Sequence, residues 1–160
     1  MAETPLPPSV ERVRQALRER GLAVEIRQFD AAKRTAADAA AAIGCSVAQI
    51  AKSLVFRATL SDRPVLVVAS GVNRVDEAAV AVLLGEAIGK ADAGFVRDKT
   101  GFAIGGVAPV AHREPPVVFI DRDLLGFPDI WAAAGTPNAV FRLTPAELIA
   151  LTAGRVAAIA

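Results

Sequence analysis

Residues 52–70, KSLVFRATLSDRPVLVVAS, decide the fold. Two apolar runs, Lys52–Leu60 and Pro64–Ser70, are rich in the Val, Leu and Phe that suit a pleated, half-buried surface. Between them Ser61-Asp62-Arg63-Pro64 supplies turn-forming side chains, so the stretch predicts an antiparallel hairpin. One residue sits oddly in it. Lys52 opens the first run among apolar neighbours, and a cation there needs a route to water or an anion. A lysine at a strand end commonly lays its stem on the core and its ammonium in solvent. Ser53 beside it is unremarkable alone, and the local sequence leaves both readings open.

On the N-terminal side, Ser46 caps a short helical turn, VAQIA, and Thr35 opens an Ala-rich helix, TAADAAAAIG, closed by Gly44. Val24, Ile26 and Gln28 alternate as a strand. Ser9 is placed to cap a helix from Val10 to Arg20, with Val10, Val13 and Leu17 on one face and Gly21 as the stop. Residues 1–8, with Pro5, Pro7 and Pro8, read as an extended arm. On the C-terminal side, Asn73 or Asp76 begins a helix with Val80, Leu83 and Leu84 on its apolar face, and a further helical turn falls near Ala91–Asp98.

The segment GFAIGGVAP, Gly101–Pro109, then interrupts the pattern. Three glycines and a proline make a poor strand but leave backbone N–H groups bare for close approach. After it come the strand VVFID (Val117–Asp121), a DRDLL turn, a region around Trp131 and the strand AVFRL. Thr144, Pro145 and Glu147 form a capping box at the start of a helix, and RVAAI ends the pattern as an edge strand. Strands and helices mix without a regular βαβ repeat. That predicts an α+β domain over residues 1–160, with a mixed, partly closed, barrel-like sheet flanked by helices.

Composition narrows the function. The chain has 160 residues, 53% of them hydrophobic, with a mean hydropathy of +0.41, and much of that is alanine. No run of about 18 apolar residues is free of polar breaks, so no membrane span is expected. MAETPLPPS has neither a basic n-region nor an apolar h-region. The single cysteine, Cys45, forms no intramolecular disulfide and fits a reducing cytoplasm. A formal charge of +1 gives no broad basic face, so any nucleic-acid contact must be local, such as a strand end.

The chemical candidates are few. LLGEAIGKAD is one residue short of a phosphate loop and has Ala91 where Ser or Thr binds magnesium. GFAIGG lacks the G-x-G-x-x-G spacing of a dinucleotide site. His112 is the only histidine, which excludes a histidine metal cluster, and a surface position is its plainest reading. Asp121/Asp123 and Asp76/Glu77 fall at expected helix starts, where carboxylates favour the dipole. No metal or cofactor is expected. The bare glycine segment and Lys52 together suggest a site for an anionic ligand with a polarised carbonyl.

The order of TAADAAAAIGCSVAQIAKSLVF (Thr35–Phe56), PVLVVASG (Pro64–Gly71), TGFAIGGVAPV (Thr100–Val110), VVFIDRDLL (Val117–Leu125) and AAGTPNAVFRLTPAEL (Ala133–Leu148) resembles the YbaK family of aminoacyl-tRNA deacylases. That family also occurs as the editing insertion of bacterial prolyl-tRNA synthetases. The resemblance implies a mixed sheet curled into a partial barrel, and hydrolysis of the ester joining a wrong, small amino acid to the 3′ acceptor end of tRNA. Prolyl-tRNA synthetase is implied as a second partner. Lys52 then matches the lysine that holds the terminal phosphate and adenosine, while the Gly105-Gly106 backbone faces the aminoacyl carbonyl. Ser53, Ser70, Gly101, Val107, Pro109, His112 and Asn138 are the expected substrate-binding positions around them. An ester of this kind is already activated, so positioning and charge stabilisation suffice without a Ser/His/Asp set. Two other classes are compatible with the residues: a non-catalytic module that binds an aminoacyl or nucleotide end, and a small-metabolite esterase or amidase. The latter class more often shows a G-x-S-x-G elbow, which this sequence lacks.

Overall fold

In the computed structural model, which describes residues 6–30 and 35–160, the expected hairpin is central. Strand β2 (Ile50–Ala58) and strand β3 (Pro64–Ser70) pair antiparallel, from Ala51 against Ser70 to Arg57 against Pro64. The first strand ends at Ala58 rather than Leu60, because the Ala58 N–H closes on the Arg63 carbonyl and Thr59–Asp62 form the turn. Every residue of β3 is buried. Its lack of polar alternation follows: Leu66 and Val68 face a main core, while Val65, Val67 and Ala69 face a second cluster.

The main core is filled by Val10, Val13 and Leu17 of helix α1 (Pro8–Glu19), together with Phe102 and Phe141. The second cluster packs against Val80 of helix α3 (Glu77–Leu84) and Ile159. Helix α2 (Ala36–Ile43) begins at its Thr35 cap and packs Ala39 and Ala40 on Ile50. Helix α1 starts earlier than the sequence predicts. Pro8 takes the first helical position with Pro7 as cap, which suits the fixed φ of proline, and Ser9 lies inside the helix. The expected arm is therefore shorter than residues 1–8, and residues 1–5 of it lie outside the described residues.

The remaining strands are β1 (Ile26–Gln28), β4 (Ile88–Lys90), β5 (Val117–Asp121), β6 (Ile130–Ala133), β7 (Ala139–Leu143) and β8 (Arg155–Ala157). They order as β1-β7-β6-β2-β3-β5-β8, with β4 added to β2. The sheet is mixed: β2 with β6, β3 with β5 and β5 with β8 are parallel, and the other pairs are antiparallel. It is flanked by helices as expected, and its outer strands β1 and β8 do not pair with each other. Helix α4 (Ala93–Thr100) precedes the glycine segment, and helix α5 (Pro145–Thr152) packs Leu148 and Leu151 on the main core.

Strands β4 and β6 were not expected from the sequence. Three or four residues are too few to show a period, and IGK and IWAA carry no alternation. These two short strands turn out to frame the site.

The capping box of α5 is formed in both directions: Thr144 Oγ1 accepts from the Glu147 N–H at 3.1 Å, and Glu147 Oε1 accepts from the Thr144 N–H at 2.8 Å. Thr144→Ala is expected to lower stability by about 1 kcal/mol, read as a reduced urea midpoint with an unchanged slope. An unchanged midpoint would mean that the cap contributes nothing.

Candidate active site

A cavity of about 420 Å³ opens against β2, and Ile50 through Phe56 all line it. Successive side chains of a strand point to opposite faces. Seven consecutive residues can border one cavity only if it lies along the strand's edge. The pairing explains how. One edge of β2 is fully occupied by β3, whereas the other is shared by β6, which pairs with Ile50 and Ala51, and β4, which pairs with Phe56 to Ala58. Among the described residues nothing pairs with that edge between Lys52 and Val55. The opposite wall comes from Ile104, Gly105 and Val107, and the ends from Ala36 and Ala39 of α2 and from Trp131–Ala133 of β6.

Lys52 lies opposite Ala69, so its side chain leaves the sheet on the α3 face. Its Nζ donates to the Asn73 carbonyl at 2.5 Å, which leaves two of three ammonium protons for other acceptors. Asn73 is itself held. Its Nδ2 donates to Asp121 Oδ2 and to Asp123 Oδ2, both at 2.8 Å, and Asp121 Oδ2 also accepts from the Ser70 N–H at 3.0 Å. Asp121, expected as a helix-start carboxylate, does accept from the Asp123 N–H, but it is also a buried anchor that fixes the turn carrying the Lys52 acceptor. Ser70 belongs to this support. It is buried, with its hydroxyl on the Ala48 carbonyl at 2.7 Å, and it does not line the cavity.

The two glycines differ. Gly105, at φ +89°, lines the cavity, and a Cβ there would meet only Pro137 at 3.6 Å. Gly106 faces the other way: a Cβ would lie 2.8 Å from Thr136 Cα, and its N–H donates to the Ala103 carbonyl at 3.0 Å. Gly106 thus seats the loop on the turn between β6 and β7. Substitution there would displace the loop rather than fill the cavity. Among the described residues the N–H groups of Gly105 and Val107 have no hydrogen-bond partner.

The other expected positions divide. Ser53 lines the cavity, and among the described residues its buried Oγ has no partner. Gly101 is the left-handed cap of α4, packed against Arg12. Pro109 is buried outside the cavity lining. Asn138 ties the β6–β7 turn to Phe29, donating from Nδ2 to its carbonyl at 3.1 Å. His112 is not a surface residue. Its ring is half-buried, packed edge-on against Phe102, and its Nε2–H donates to the Ala108 carbonyl at 2.6 Å, an assignment fixed by the acceptor being a carbonyl. It borders a separate crevice beside α1. Sequence reasoning missed Ala36, Ala39 and Trp131–Ala133, whose small or flat side chains carry no chemical signal. Among the described residues no three His, Cys, Asp or Glu side chains gather as metal ligands, and no helix is long and apolar enough to cross a membrane.

The sequence pattern of the aminoacyl-tRNA editing domain matches residues 30–151, which include every element lining the cavity. The chain belongs to this family. Its sequence is 34% identical over 124 residues to the uncharacterised protein YwhH of Bacillus subtilis (strain 168), covering 78% of each chain. Its fold is similar to a crystal structure described as a proposed trans-editing enzyme for prolyl tRNA synthetase, with a TM-score of 0.91 and 46% identity over 97% of this chain and 98% of that one. It is also similar to the crystal structure of hypothetical protein APE2540, with a TM-score of 0.85 and 31% identity over 92% and 98%. The mixed sheet and its helices are therefore the editing-domain fold.

Two measurements test how this editing domain holds its site. Asp121→Ala leaves the Ser70 and Asp123 N–H groups without their acceptor and the Asn73 amide with Asp123 alone, and should lower stability by roughly 3 kcal/mol in urea denaturation. A loss below about 0.5 kcal/mol would remove Asp121 from the anchor. Burial, reinforced by the nearby Arg12 charge, holds the His112 pKa below its ordinary 6.5 despite the Ala108 hydrogen bond. Above that value the ring is neutral in both folded and unfolded chains. As pH falls below it the unfolded chain binds a proton that the folded chain resists, so stability is lost until the folded pKa is passed. The urea midpoint should therefore drop more in the wild type than in His112→Gln between about pH 7 and pH 5. Parallel drops would place the ring in solvent.

Proposed function

We propose that this chain hydrolyses the ester of mischarged aminoacyl-tRNA in trans, with the acylated terminal ribose seated along the edge of β2. The observation that carries this reading is that Lys52 and the bare Gly105 backbone border one cavity from opposite faces of the sheet edge. Lys52 has donors left for the terminal phosphate and adenosine. The free N–H groups of Gly105 and Val107 are suited to the ester carbonyl, whose oxygen becomes an oxyanion when the carbonyl carbon is attacked. In the overall reaction water adds its oxygen to that carbon, the ribose oxygen leaves with a proton, and a free amino acid and deacylated tRNA result. One donor aimed at such an oxyanion contributes roughly 10²–10³ in rate.

The cavity wall is mostly apolar, with Leu54, Phe56, Ile104 and Trp131 beside Ala36, Ala39, Ala132 and Ala133. This supports an uncharged acyl side chain, and its small size rests on the family resemblance. Discrimination by size alone is worth only about 1–3 kcal/mol per methylene, so neighbouring small amino acids will be cleaved at related rates. The resemblance to a protein described as a proposed trans-editing enzyme for prolyl tRNA synthetase supports tRNA-Pro as the carrier, and that synthetase as the partner whose errors are cleared.

Deacylation of tRNAs charged with Ala, Ser, Thr, Cys and Pro is the direct test. Cleavage of at least one small mischarged species is expected, and Lys52→Ala should reduce it by roughly 100-fold or more with an unchanged urea midpoint. Tight binding of charged tRNA ends without any turnover would instead identify a binding module.

A further inference from the structure

The break in the β2 ladder exposes main-chain groups as well as side chains. The Ile50 carbonyl accepts from the Gly71 N–H, and the Ala58 N–H donates to Arg63. Even-numbered residues of β2 thus direct their backbone groups at β3, and the unbroken register from Ala51 to Arg57 keeps that parity. Odd-numbered residues face the other edge. Ala51 is taken by β6 and Arg57 by β4, which leaves the Ser53 N–H and C=O and the Val55 N–H turned into the cavity and unpaired among the described residues. The buried, partnerless Oγ of Ser53 lies at the same place. Buried polar groups of this kind need partners.

We infer that the unpaired edge at Ser53 and Val55 reads the aminoacyl group as a one-residue strand, the Ser53 carbonyl accepting from the α-ammonium and the Val55 N–H donating to the acyl carbonyl. Three observations support this beyond the exposed atoms. The gap is bounded: pairing with β6 ends at Ala51 and pairing with β4 begins at Phe56, so Ser53 and Val55 are the two edge-facing residues between them, the pair that a single amino-acid unit bridges. The direction is set, because β6 runs parallel to β2 on this edge, and a unit continuing that direction bridges residues i−1 and i+1 of β2, here Ser53 and Val55. The charge balance fits as well. Among the described residues Lys52 is the only charged side chain lining the cavity and no carboxylate does, so carbonyl oxygens are what an ammonium meets there. The feature recognised is then an α-hydrogen-bond donor, in place of the amino-acid side chain.

This inference rests on the proposed deacylase activity and is tested separately from it. The best substrate of the deacylation screen is compared with the same tRNA carrying the des-amino acyl group, for example alanyl against propionyl. Loss of the α-donor should reduce kcat/KM by about 10- to 100-fold. A Val55→Pro variant removes one edge N–H while sparing the β3 ladder, since that N–H points away from β3. With an unchanged urea midpoint it should slow alanyl-tRNA cleavage by at least about 10-fold. Equal cleavage of alanyl- and propionyl-tRNA overturns this inference and leaves the deacylase reading standing, even if Val55→Pro fails to fold. No cleavage of any acyl-tRNA by the wild type overturns both.

Discussion

Everything at the site depends on one strand edge with two short partners. β2 is held along its whole length by β3, so its opposite edge can be left open in the middle without losing its place in the sheet. Buried unpaired backbone groups cost about 1–3 kcal/mol each, which is why continuous pairing is the rule. Here the open stretch faces a cavity, and β6 and β4 fix its two ends. The position of Lys52 on one face and of Ser53 and Val55 on the other then follows from the period of the strand.

The surroundings serve to keep that edge and its opposite wall in register. A buried carboxylate, Asp121, fixes the Ser70–Asn73 turn, which supplies the carbonyl that Lys52 holds. On the other side the glycine loop is seated by contact of Gly106 with the Thr136 backbone and by the His112 bond to Ala108, so that Gly105 and Val107 present bare N–H groups. Asp121, Asn73, Gly106 and His112 stay outside the cavity lining, and of these supports only Thr136 borders it. Such an arrangement suits an activated ester, where placing the carbonyl against fixed donors does most of the work.

Much of this was legible in the sequence, for identifiable reasons. The hairpin, the Thr35 and Thr144 caps, VVFID and AVFRL carry strong local signals, and the structure has them within a few residues of where they were read. Lys52 and the glycine segment were visible as misfits, a cation and a bare backbone where regular structure expects neither. What was not legible depends on pairing between distant segments. Nothing in IGK or IWAA says that they share one edge of β2, and hence nothing says that Ser53 and Val55 are left open. Nor does DRDLL reveal that Asp121 reaches across to Ser70 and Asn73. His112 was misplaced because its burial is set by Phe102 and Ala108, through a loop whose path glycine leaves undetermined. Gly106 shows the same limit, since only the fold reveals that Thr136 stands against it.

The most direct measurement is backbone amide NMR of the protein titrated with a non-hydrolysable aminoacyl end, 3′-deoxy-3′-(alanylamino)adenosine. The account predicts that the largest shift changes fall on the amides of Ser53, Val55, Gly105 and Val107, the two walls of one cavity. Changes centred instead on the crevice between α1 and His112, with those four amides unmoved at saturation, would contradict it.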